Sequence, residues 1–394
     1  MTSKHKQIHP VRKSEFSNGA GTPLKRKVLV LMSGGVDSSV AAFLLKKQGY
    51  DVAGVYLKLW EEKKGSAGRE IGDPCWVHEK RDAEKVAARL GIPFLTLDVT
   101  REYKKAVLSD FINEYKKQRT PNPDVLCNQK IKFGIALQKA RKLGFDYIAT
   151  GHYARIRNPS SPLPAGRHVP ARGMVGLYAA KDKSKDQSYF LWKLTQKELS
   201  RTLFPIGGLL KSEVRAIAQK AGLHTWQKKD SQGICFLGKM NVPKFLKTQM
   251  RMKPGPIVDI HGRTRGEHDG LAQYTIGQRA KIGGTGPYYI AKKDIKRNTL
   301  IVAHESEERA IYHREFSASH VQWIAGVPPK LPIKAKGRTR YRATLVGMTL
   351  KRTPKGSMHI ICAKPERALT PGQTVVFYQG SKVLGGGIIE KVLQ

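Results

Sequence analysis

The chain has 394 residues, of which 71 are Lys or Arg and 31 are Asp or Glu, so its formal net charge is +40. With 40% hydrophobic residues it can build ordinary cores, which excludes disorder throughout. Its apolar runs are far shorter than the roughly 18 residues that span a bilayer, so we expect neither a transmembrane helix nor a membrane partner. Such a surplus of positive charge attracts polyanions, nucleic acid first, although a generally lysine-rich proteome would produce it too.

Residues 1–26 are basic and show little hydrophobic periodicity, which predicts a disordered basic arm. They lack the apolar centre of a secretory signal, so we expect a cytoplasmic protein, with a mitochondrial presequence as the weaker alternative.

Short apolar runs alternate with amphipathic stretches from residue 27 onward. Strands are predicted at 28–32, 52–57, 94–99 and 147–150, and helices at 38–47, 79–90, 131–143 and 211–221. This alternation predicts a parallel sheet covered by helices. After about residue 240, Gly, Pro and β-branched residues with frequent turn signals predict small β domains.

Four cysteines are spread widely along the chain and form no CxxC pair. They are Cys75, Cys127, Cys235 and Cys362. This spacing argues against a zinc ribbon, an iron-sulfur cluster or a secreted disulfide scaffold, so no metal ligands are predicted.

The strongest motif lies directly after the first predicted strand and opens the first predicted helix. It reads Ser33-Gly34-Gly35-Val36-Asp37-Ser38-Ser39. Two glycines let the backbone approach a ligand closely, and the N–H groups of a helix start bind anions, so a phosphate chain is predicted here. No Lys follows the second glycine, so this is not a Walker A loop. The alternative is a serine-glycine turn before an ordinary helix.

A second cluster surrounds Cys127. Two prolines, Pro121 and Pro123, rigidify the approach, and Asn128 is a plausible N-cap, so Cys127 is predicted at or just before a helix N-terminus. The helix dipole and nearby lysines would stabilise a thiolate there, and Asp124 is placed to exchange protons with a bound substrate. Inert packing is the alternative for this cysteine.

A third cluster contains Cys235, which lies between a basic turn at Lys228-Lys229 and an apolar run. Lysines favour an ionised thiol, but local sequence favours the alternative, a buried strand cysteine.

Taken together and in order, these motifs resemble those of the tRNA-specific 2-thiouridylases, which belong to the PP-loop ATP pyrophosphatase superfamily. The resemblance also rests on Ala149-Thr150-Gly151-His152-Tyr153, Lys185-Asp186-Gln187-Ser188-Tyr189-Phe190-Leu191, Gly233-Ile234-Cys235-Phe236 and Arg340-Tyr341-Arg342. It covers the chain from about residue 27 to the C-terminus.

The resemblance implies an α/β fold with three domains. A parallel-sheet PP-loop catalytic domain, of the adenine nucleotide alpha-hydrolase-like type, would occupy residues 27–240. A small central β-rich domain that contacts tRNA would follow at 241–308, and a C-terminal β-barrel that binds tRNA at 309–394.

The resemblance also implies ATP-dependent 2-thiolation of the wobble uridine in the tRNAs for Lys, Glu and Gln, with release of AMP and pyrophosphate. ATP would contact Leu31, Met32, Ser33, Gly34, Gly35, Val36, Asp37, Ser38, Leu57 and Gly151. The tRNA would contact Asn122, Pro123, Asp124, Lys185, Asp186, Gln187, Arg340 and Tyr341. Cys127 and Cys235 would form the catalytic pair, Asp124 would act as acid or base, and Asp37 would help to hold Mg²⁺ or cap its helix.

Sulfur would arrive as a persulfide on Cys235, loaded by a sulfur donor protein, and the enzyme is expected to be a monomer. The persulfide would attack the activated carbon directly, or Cys127 would release hydrosulfide from it; both routes leave a Cys127–Cys235 disulfide. Cys75 and Cys362 would be packing or surface residues. Tyr189, Tyr274 and Tyr341 would stack on bases or, more simply, belong to the core.

Three alternatives are weighed against this function. An amidotransferase-type PP-loop enzyme would need an ammonia source, and a 2-thiocytidine synthetase usually carries CxxC ligands; neither feature is found in the sequence. An RNA-binding protein with a vestigial nucleotide site would not need Asp37, Asp124, Cys127 and Cys235.

Overall fold

The structure is a computed structural model that describes residues 25–60, 75–157, 173–229, 241–283, 286–353 and 356–393. The predicted basic arm lies almost wholly outside the described residues, and so does Cys235. Cys75 is described in its backbone only.

The first domain is built on a five-stranded parallel sheet. Its strands are β1 Lys27–Leu31, β2 Asp51–Lys58, β3 Phe94–Asp98, β4 Tyr147–Thr150 and, after a hairpin of β5 Ala154–Arg157 and β6 Gly176–Ala179, β7 Thr202–Leu203. They are ordered β3-β2-β1-β4-β7. The predicted parallel sheet is thus confirmed. The chain leaves β1 for β2 on one side, and β4 lies on the other, so the order reverses at β1, where ligands of such sheets bind.

Helices cover the sheet, and most of them lie where the sequence predicted a helix. They include α1 Val36–Lys47 and α2 Cys75–Leu90. A third helix, α3, spans 100–116 and contains a π-helical turn at Lys104–Leu108. It was not predicted, although its buried residues Tyr103, Val107 and Phe111 recur every four positions as in an amphipathic helix.

Helix α4 spans 123–142 and is continuous through a π-helical segment, Cys127–Ile135. It begins at Pro123, with Asn122 as its N-cap, so the predicted start at Asn128 was wrong. Proline needs no N–H partner at the first helical position and has a φ suited to it, so Pro123 begins the helix instead of preceding it. The short helix α5 Gln196–Leu199 and helix α6 Lys211–Lys220 complete this domain.

The middle domain begins with helix α7 Val242–Gln249 and continues as a five-stranded sheet. Its strands are β8 Gly255–Asp259, β9 Thr264–His268, β10 Arg279–Ala280, β11 Tyr288–Asp294 and β12 Thr299–His304. They are ordered β10-β11-β12-β8-β9, and only the β12–β8 pair is parallel. Ile257, Ile290 and Val302 form its small core.

The last domain is a closed antiparallel barrel of six strands. They are β13 Tyr312–Trp323, β14 Ile333–Arg338, β15 Val346–Arg352, β16 Met358–Arg367, β17 Thr374–Gln379 and β18 Lys382–Leu393. Pairing of β13 with β18 closes the barrel, as predicted. Phe316, Leu350 and Phe377 fill it, together with Cys362, which is fully buried and therefore a packing residue.

The first domain and the barrel share one hydrophobic core. Strand β6 pairs with β18 through Tyr178 and Lys382, so the β5–β6 hairpin extends the barrel sheet. Trp192 is fully buried against Gly386, where a Cβ would lie 2.7 Å from the indole ring. The Tyr189 hydroxyl donates to the Thr374 carbonyl at 2.8 Å. These contacts fix the two domains to each other, and they show that Tyr189, with no exposed surface, is a core residue.

Within the described ranges, no helix combines the length and apolarity needed to span a bilayer.

Candidate active site

The glycine loop lies where the sheet topology favours a ligand, between the carboxyl ends of β1 and β4. Gly34 has a φ of +70°, and a Cβ there would lie 2.1 Å from the Glu79 carbonyl of α2. At Gly151, just after β4, a Cβ would lie 2.5 Å from the backbone nitrogen of Ser38. Both positions therefore require glycine, because the loop is packed against α2 on one side and against the end of β4 on the other.

The start of α1 offers backbone N–H groups to an anion. Its N-cap is Gly35, which has no side chain to satisfy them. Of the described residues, only Ser33 approaches within 4 Å of an ideal Cβ at Gly35, with its hydroxyl at 3.5 Å. The Ser38 hydroxyl accepts the Ser33 N–H at 3.2 Å and so shapes the loop. Behind the loop, Leu31, Met32 and Val36 are buried and support it. This arrangement fits a phosphate chain.

Asp37 does not cap its helix. Its carboxylate receives two hydrogen bonds from Lys211 Nζ, at 2.7 and 2.8 Å, and one from the Tyr153 hydroxyl at 2.8 Å. Lys211 opens helix α6 and is only 12% exposed. Sequence reasoning missed this cation beside the glycine loop, because a lysine 174 residues from Asp37 carries no local signal.

A second lysine, Lys228, links the glycine loop to α2. Its Nζ donates to the Gly34 carbonyl at 3.0 Å and to the Asp82 carboxylate at 2.6 Å. Burial acts to raise the pKa of Asp82, but hydrogen bonds from Lys228 and His224 outweigh it and hold that pKa below its usual value. Lys228 also lies at the end of the described chain before Cys235, so that end is anchored at the glycine loop.

Asp124 and Cys127 lie in the first two turns of α4, three residues apart and so on neighbouring positions of one face. Asp124 is half-buried in the first turn, where a carboxylate is favoured by the helix dipole. Cys127, the fifth residue of the helix, is only 1% exposed and packs in a cluster with Tyr103, Phe111 and Phe245. Cys127 therefore lies inside the helix and not before it. In this second turn the helix dipole stabilises a thiolate less than it would at the predicted position.

The carboxyl end of β2 lies beside the cluster that contains the Cys127 thiol. It belongs to the edge of the sheet at which ATP is predicted to bind, called the nucleotide edge below. Leu57, predicted to contact ATP, packs against the cluster that contains Cys127. Helix α7 follows the segment 230–240 and contributes Phe245 and Leu246 to the same cluster. The described residues before and after Cys235 thus contact the glycine loop and the Cys127 cluster, respectively.

All three domains hold the loop before α4. Thr120 N–H donates to the Pro371 carbonyl of the barrel at 3.0 Å, and its hydroxyl lies 3.3 Å from that of Thr275 in the middle domain. Gln373 Nε2 donates to the Thr120 and Pro121 carbonyls at 3.0 and 3.4 Å. The barrel therefore positions the approach to Asn122, Pro123 and Asp124. The Asn122 side chain lies near the buried Tyr189 hydroxyl.

His152 joins the end of β4 to α4. Its ring lies 5.8 Å from that of Phe133, and its Nδ1 lies 2.7 Å from the Thr150 hydroxyl. Burial lowers its pKa well below the ordinary value, with Lys132 acting in the same direction, so the imidazole is neutral near pH 7.

The residues Lys185, Asp186 and Gln187 face in different directions. Lys185 lines a surface cavity between this loop and the barrel. Asp186 is buried, and its carboxylate accepts the N–H groups of Ala180 and Ser188 at 3.0 and 3.2 Å. The Gln187 side chain accepts the Tyr153 N–H at 2.9 Å. Of the three side chains, only that of Lys185 is presented to a ligand at this surface.

Arg340 and Tyr341 are also engaged within the protein. One Arg340 nitrogen, Nη2, donates to the Ile276 and Ala368 carbonyls, both at 2.7 Å, and to the Thr370 hydroxyl at 2.9 Å. Arg340 thereby joins the barrel to the middle domain. The Tyr341 ring lies 4.5 Å from that of Phe190.

Among the described residues, no group of three or more His, Cys, Asp or Glu side chains is arranged to hold a metal ion. Mg²⁺ commonly takes most of its ligands from phosphates and water and one or two from carboxylates, and Asp37 beside the glycine loop could supply such a carboxylate.

Comparison with known families agrees with this geometry. A family model described as the tRNA methyl transferase HUP domain matches residues 26–239. Models for a tRNA methyl transferase PRC-barrel domain and an aminomethyltransferase beta-barrel domain match residues 243–304 and 313–389. The parallel sheet, the glycine loop after β1 and the site at the strand ends define a PP-loop enzyme.

Curated relatives identify the family. The tRNA-specific 2-thiouridylase MnmA 2 of Geobacillus kaustophilus is 42% identical over 94% of this chain and 96% of its own length. The tRNA-specific 2-thiouridylase MnmA of Alkaliphilus oremlandii is 42% identical over 94% of this chain and 99% of its own length. That of Halalkalibacterium halodurans is 42% identical over 95% of this chain and 97% of its own length. The chain belongs to the tRNA-specific 2-thiouridylase family, which confirms the resemblance found in its motifs.

Among solved structures, similarity is partial. A 4-thiouridine synthetase in complex with RNA and bound ATP shares 21% identity at a TM-score of 0.33, covering 57% of this chain and 50% of its own. An NMN synthetase from Francisella tularensis shares 15% sequence identity at a TM-score of 0.29, covering 53% of this chain and 67% of its own.

Proposed function

We propose that this protein is a tRNA-uridine 2-sulfurtransferase that uses ATP to thiolate the wobble uridine of the tRNAs for Lys, Glu and Gln. The family membership supports tRNA thiolation. The observation that carries the finer proposal is the packing of Leu57, at the carboxyl end of β2, against the buried cluster that contains Cys127. This packing supports a thiol that lies beside the carboxyl end of a strand at which ATP is predicted to bind.

The glycine loop suits the activating step. A uridine 2-carbonyl is a poor electrophile, and its oxygen leaves only when it is converted to a phosphate ester. The N–H groups at the start of α1 would hold the nucleotide phosphates, with Lys211 nearby to neutralise added charge. Adenylation of the uridine oxygen would release pyrophosphate, and AMP would leave when sulfur replaces that oxygen. Asp37, freed from Lys211 when phosphates bind, would face Mg²⁺.

Sulfur transfer would use two cysteines. A donor protein would leave a persulfide on Cys235, in the segment 230–240. The outer sulfur of this persulfide would attack the uridine carbon and expel AMP, and the Cys127 thiolate would then displace the product sulfur from the Cys235 Sγ. Alternatively, Cys127 would first release hydrosulfide, which then attacks the carbon. Both routes oxidise the two cysteines to a disulfide, which a two-electron reductant must reset.

Asp124 would serve as the acid or base of these steps, since it lies one helical turn before Cys127 on the same helix. The approach to α4 is held by hydrogen bonds from the barrel and the middle domain, which would keep Asp124 and the target base in register. The target base must leave its stack to enter such a site.

A direct test incubates the protein with unmodified lysine tRNA, ATP and a persulfide source, and then measures 2-thiouridine by nucleoside mass spectrometry. We expect thiolated product that depends on ATP, with equal amounts of AMP and pyrophosphate. Reactions with a non-hydrolysable ATP analogue, and with a tRNA whose wobble base is not uridine, are the controls. Binding of tRNA without any 2-thiouridine would refute the proposal and favour an RNA-binding protein.

A further inference from the structure

The peptide between Gly34 and Gly35 lies at the centre of the glycine loop and has glycine on both sides. Because neither residue has a Cβ, the rotation of this peptide plane is far less restricted than that of a peptide between two larger residues. The carbonyl and the N–H group of a trans peptide point in opposite directions. The orientation of this one peptide therefore decides whether the loop presents a hydrogen-bond donor or an acceptor to a phosphate chain.

Two other peptides of the loop are fixed by the start of α1. The Ser33 N–H donates to the Ser38 hydroxyl at 3.2 Å. The Gly35 carbonyl accepts the Ser39 hydroxyl at 2.8 Å and the Ser38 hydroxyl at 3.2 Å. The orientation of these peptides is thus determined within the motif itself.

The central peptide is held from outside the motif, by Lys228. The Lys228 Nζ donates to the Gly34 carbonyl at 3.0 Å, and it is the one donor to that oxygen in the part of the chain that the structure describes. Because the carbonyl points toward Lys228, the Gly35 N–H points away from it. No described residue accepts that N–H. A donor at the start of α1 is thereby left for an anion.

Lys228 is itself held at both its side chain and its backbone. Asp82 of α2 accepts a hydrogen bond from Nζ at 2.6 Å, and its other carboxylate oxygen lies 3.3 Å from His224 Nε2. From α6, Arg215 donates to the Lys228 carbonyl at 3.0 Å and to the Trp226 carbonyl at 2.5 Å. An ammonium group supported on two helices is fixed well enough to orient the peptide that it contacts.

We propose that Lys228 is a positioning residue for ATP, which keeps the N–H of the Gly34–Gly35 peptide directed at the phosphate chain, and that Asp82 holds Lys228 in place for this purpose. Without the bond from Lys228, the peptide would rotate in a fraction of the molecules. Its carbonyl oxygen would then face the phosphates and repel them. The proposal rests on the proposed function for ATP as the ligand.

Asp82 separates this positioning from a simple effect of charge. If Lys228 acted only as a positive charge near the phosphates, removal of the negative Asp82 carboxylate would strengthen ATP binding. If Lys228 acts by holding the peptide, loss of Asp82 lets the ammonium group leave the Gly34 carbonyl, and ATP binding weakens. The two roles therefore predict changes of opposite sign.

The experiment measures the binding of ATP with Mg²⁺, and of pyrophosphate, to the full chain by isothermal titration without tRNA. The variants are Lys228→Met and Asp82→Leu, which remove the donor and its holder. The control is Lys85→Met, which removes a lysine at an exposed position of α2. Urea unfolding of each variant establishes that it is folded, and should Lys228→Met not fold, Asp82→Leu decides alone.

We expect Lys228→Met to bind ATP at least about tenfold more weakly than the wild type, because a hydrogen bond from a charged group is lost. Asp82→Leu should bind ATP at least about threefold more weakly. Pyrophosphate binding should weaken in the same two variants, and the control should match the wild type.

A Lys228→Met variant with the control's affinity would overturn the proposal. So would an Asp82→Leu variant that binds ATP at least as tightly as the wild type. A wild-type protein that binds no ATP would refute the proposed function as well. Since thiolation is not measured, failure of the positioning role is distinguishable from failure of the proposed function.

Discussion

Gly372 offers a sharp test of how the barrel supports the chemistry of the first domain. It has a φ of +93°, and a Cβ there would lie 2.8 to 3.0 Å from the backbone of Thr120. Replacing Gly372 with alanine should lower the free energy of unfolding by about 1–2 kcal/mol, because alanine disfavours the left-handed conformation. The close contact between the new Cβ and Thr120 should destabilise the fold by about 1–3 kcal/mol more, unless the loop before α4 moves. Either response disturbs the approach to Asp124 and Cys127.

The matched control is Gly380→Ala. Gly380 also has a positive φ, +59°, but no atom of the described part of the chain lies within 4 Å of its ideal Cβ. The control therefore carries the backbone penalty without the clash. We expect Gly372→Ala to be less stable than Gly380→Ala by about 1–3 kcal/mol in urea unfolding, or to show a markedly slower single-turnover thiolation, with ATP affinity unchanged in both. If the two variants match in stability and in thiolation rate, the barrel does not position this loop.

Two further predictions concern buried lysines. Lys211→Met should raise the Kd for ATP on the order of tenfold, about 1.4 kcal/mol, because the bound phosphates would lose the cation that Asp37 gives up to them. In the same isothermal titration Lys181→Met, which breaks an exposed ion pair with Glu213, should bind ATP like the wild type; equal affinity in both variants would exclude this role for Lys211. Burial lowers the pKa of Lys293 from 10.5 to about 8. The unfolded chain therefore holds more protons between these values, and the stability of the wild type relative to Lys293→Met should rise with pH from about 8 to 10.5 in urea unfolding. A pH-independent difference would contradict the burial of this amine.

Local patterns were sufficient to predict the elements around the nucleotide edge. The apolar run at 28–32 followed by two glycines predicts a strand, a loop and a helix start, and β1, Gly34 and α1 lie there. The start of α4 was misplaced by one turn or more, because Pro123 was read as a spacer before the helix and not as its first residue. Both outcomes depend on residues that are close in sequence.

Contacts between distant residues were not predictable in the same way. Lys211 meets Asp37 only because α6 packs beside α1, and Gln373 meets Thr120 only because the barrel docks on the first domain. Pairing of β6 with β18 has no sequence signature either, since a single register pair joins the two strands. Knowledge of the family's motifs named the candidate site residues, but their partners became visible only in the fold.

The central claim is that two cysteines transfer sulfur to an activated uridine, and single-turnover formation of 2-thiouridine tests it most directly. Cys127→Ala and Cys235→Ala are compared with the wild type, and Cys362→Ala, at a cysteine buried within the barrel, is the control. The account predicts product from the wild type and Cys362→Ala, and none from the other two, although all four still bind ATP and tRNA. Product from either Cys127→Ala or Cys235→Ala at the wild-type rate would contradict it.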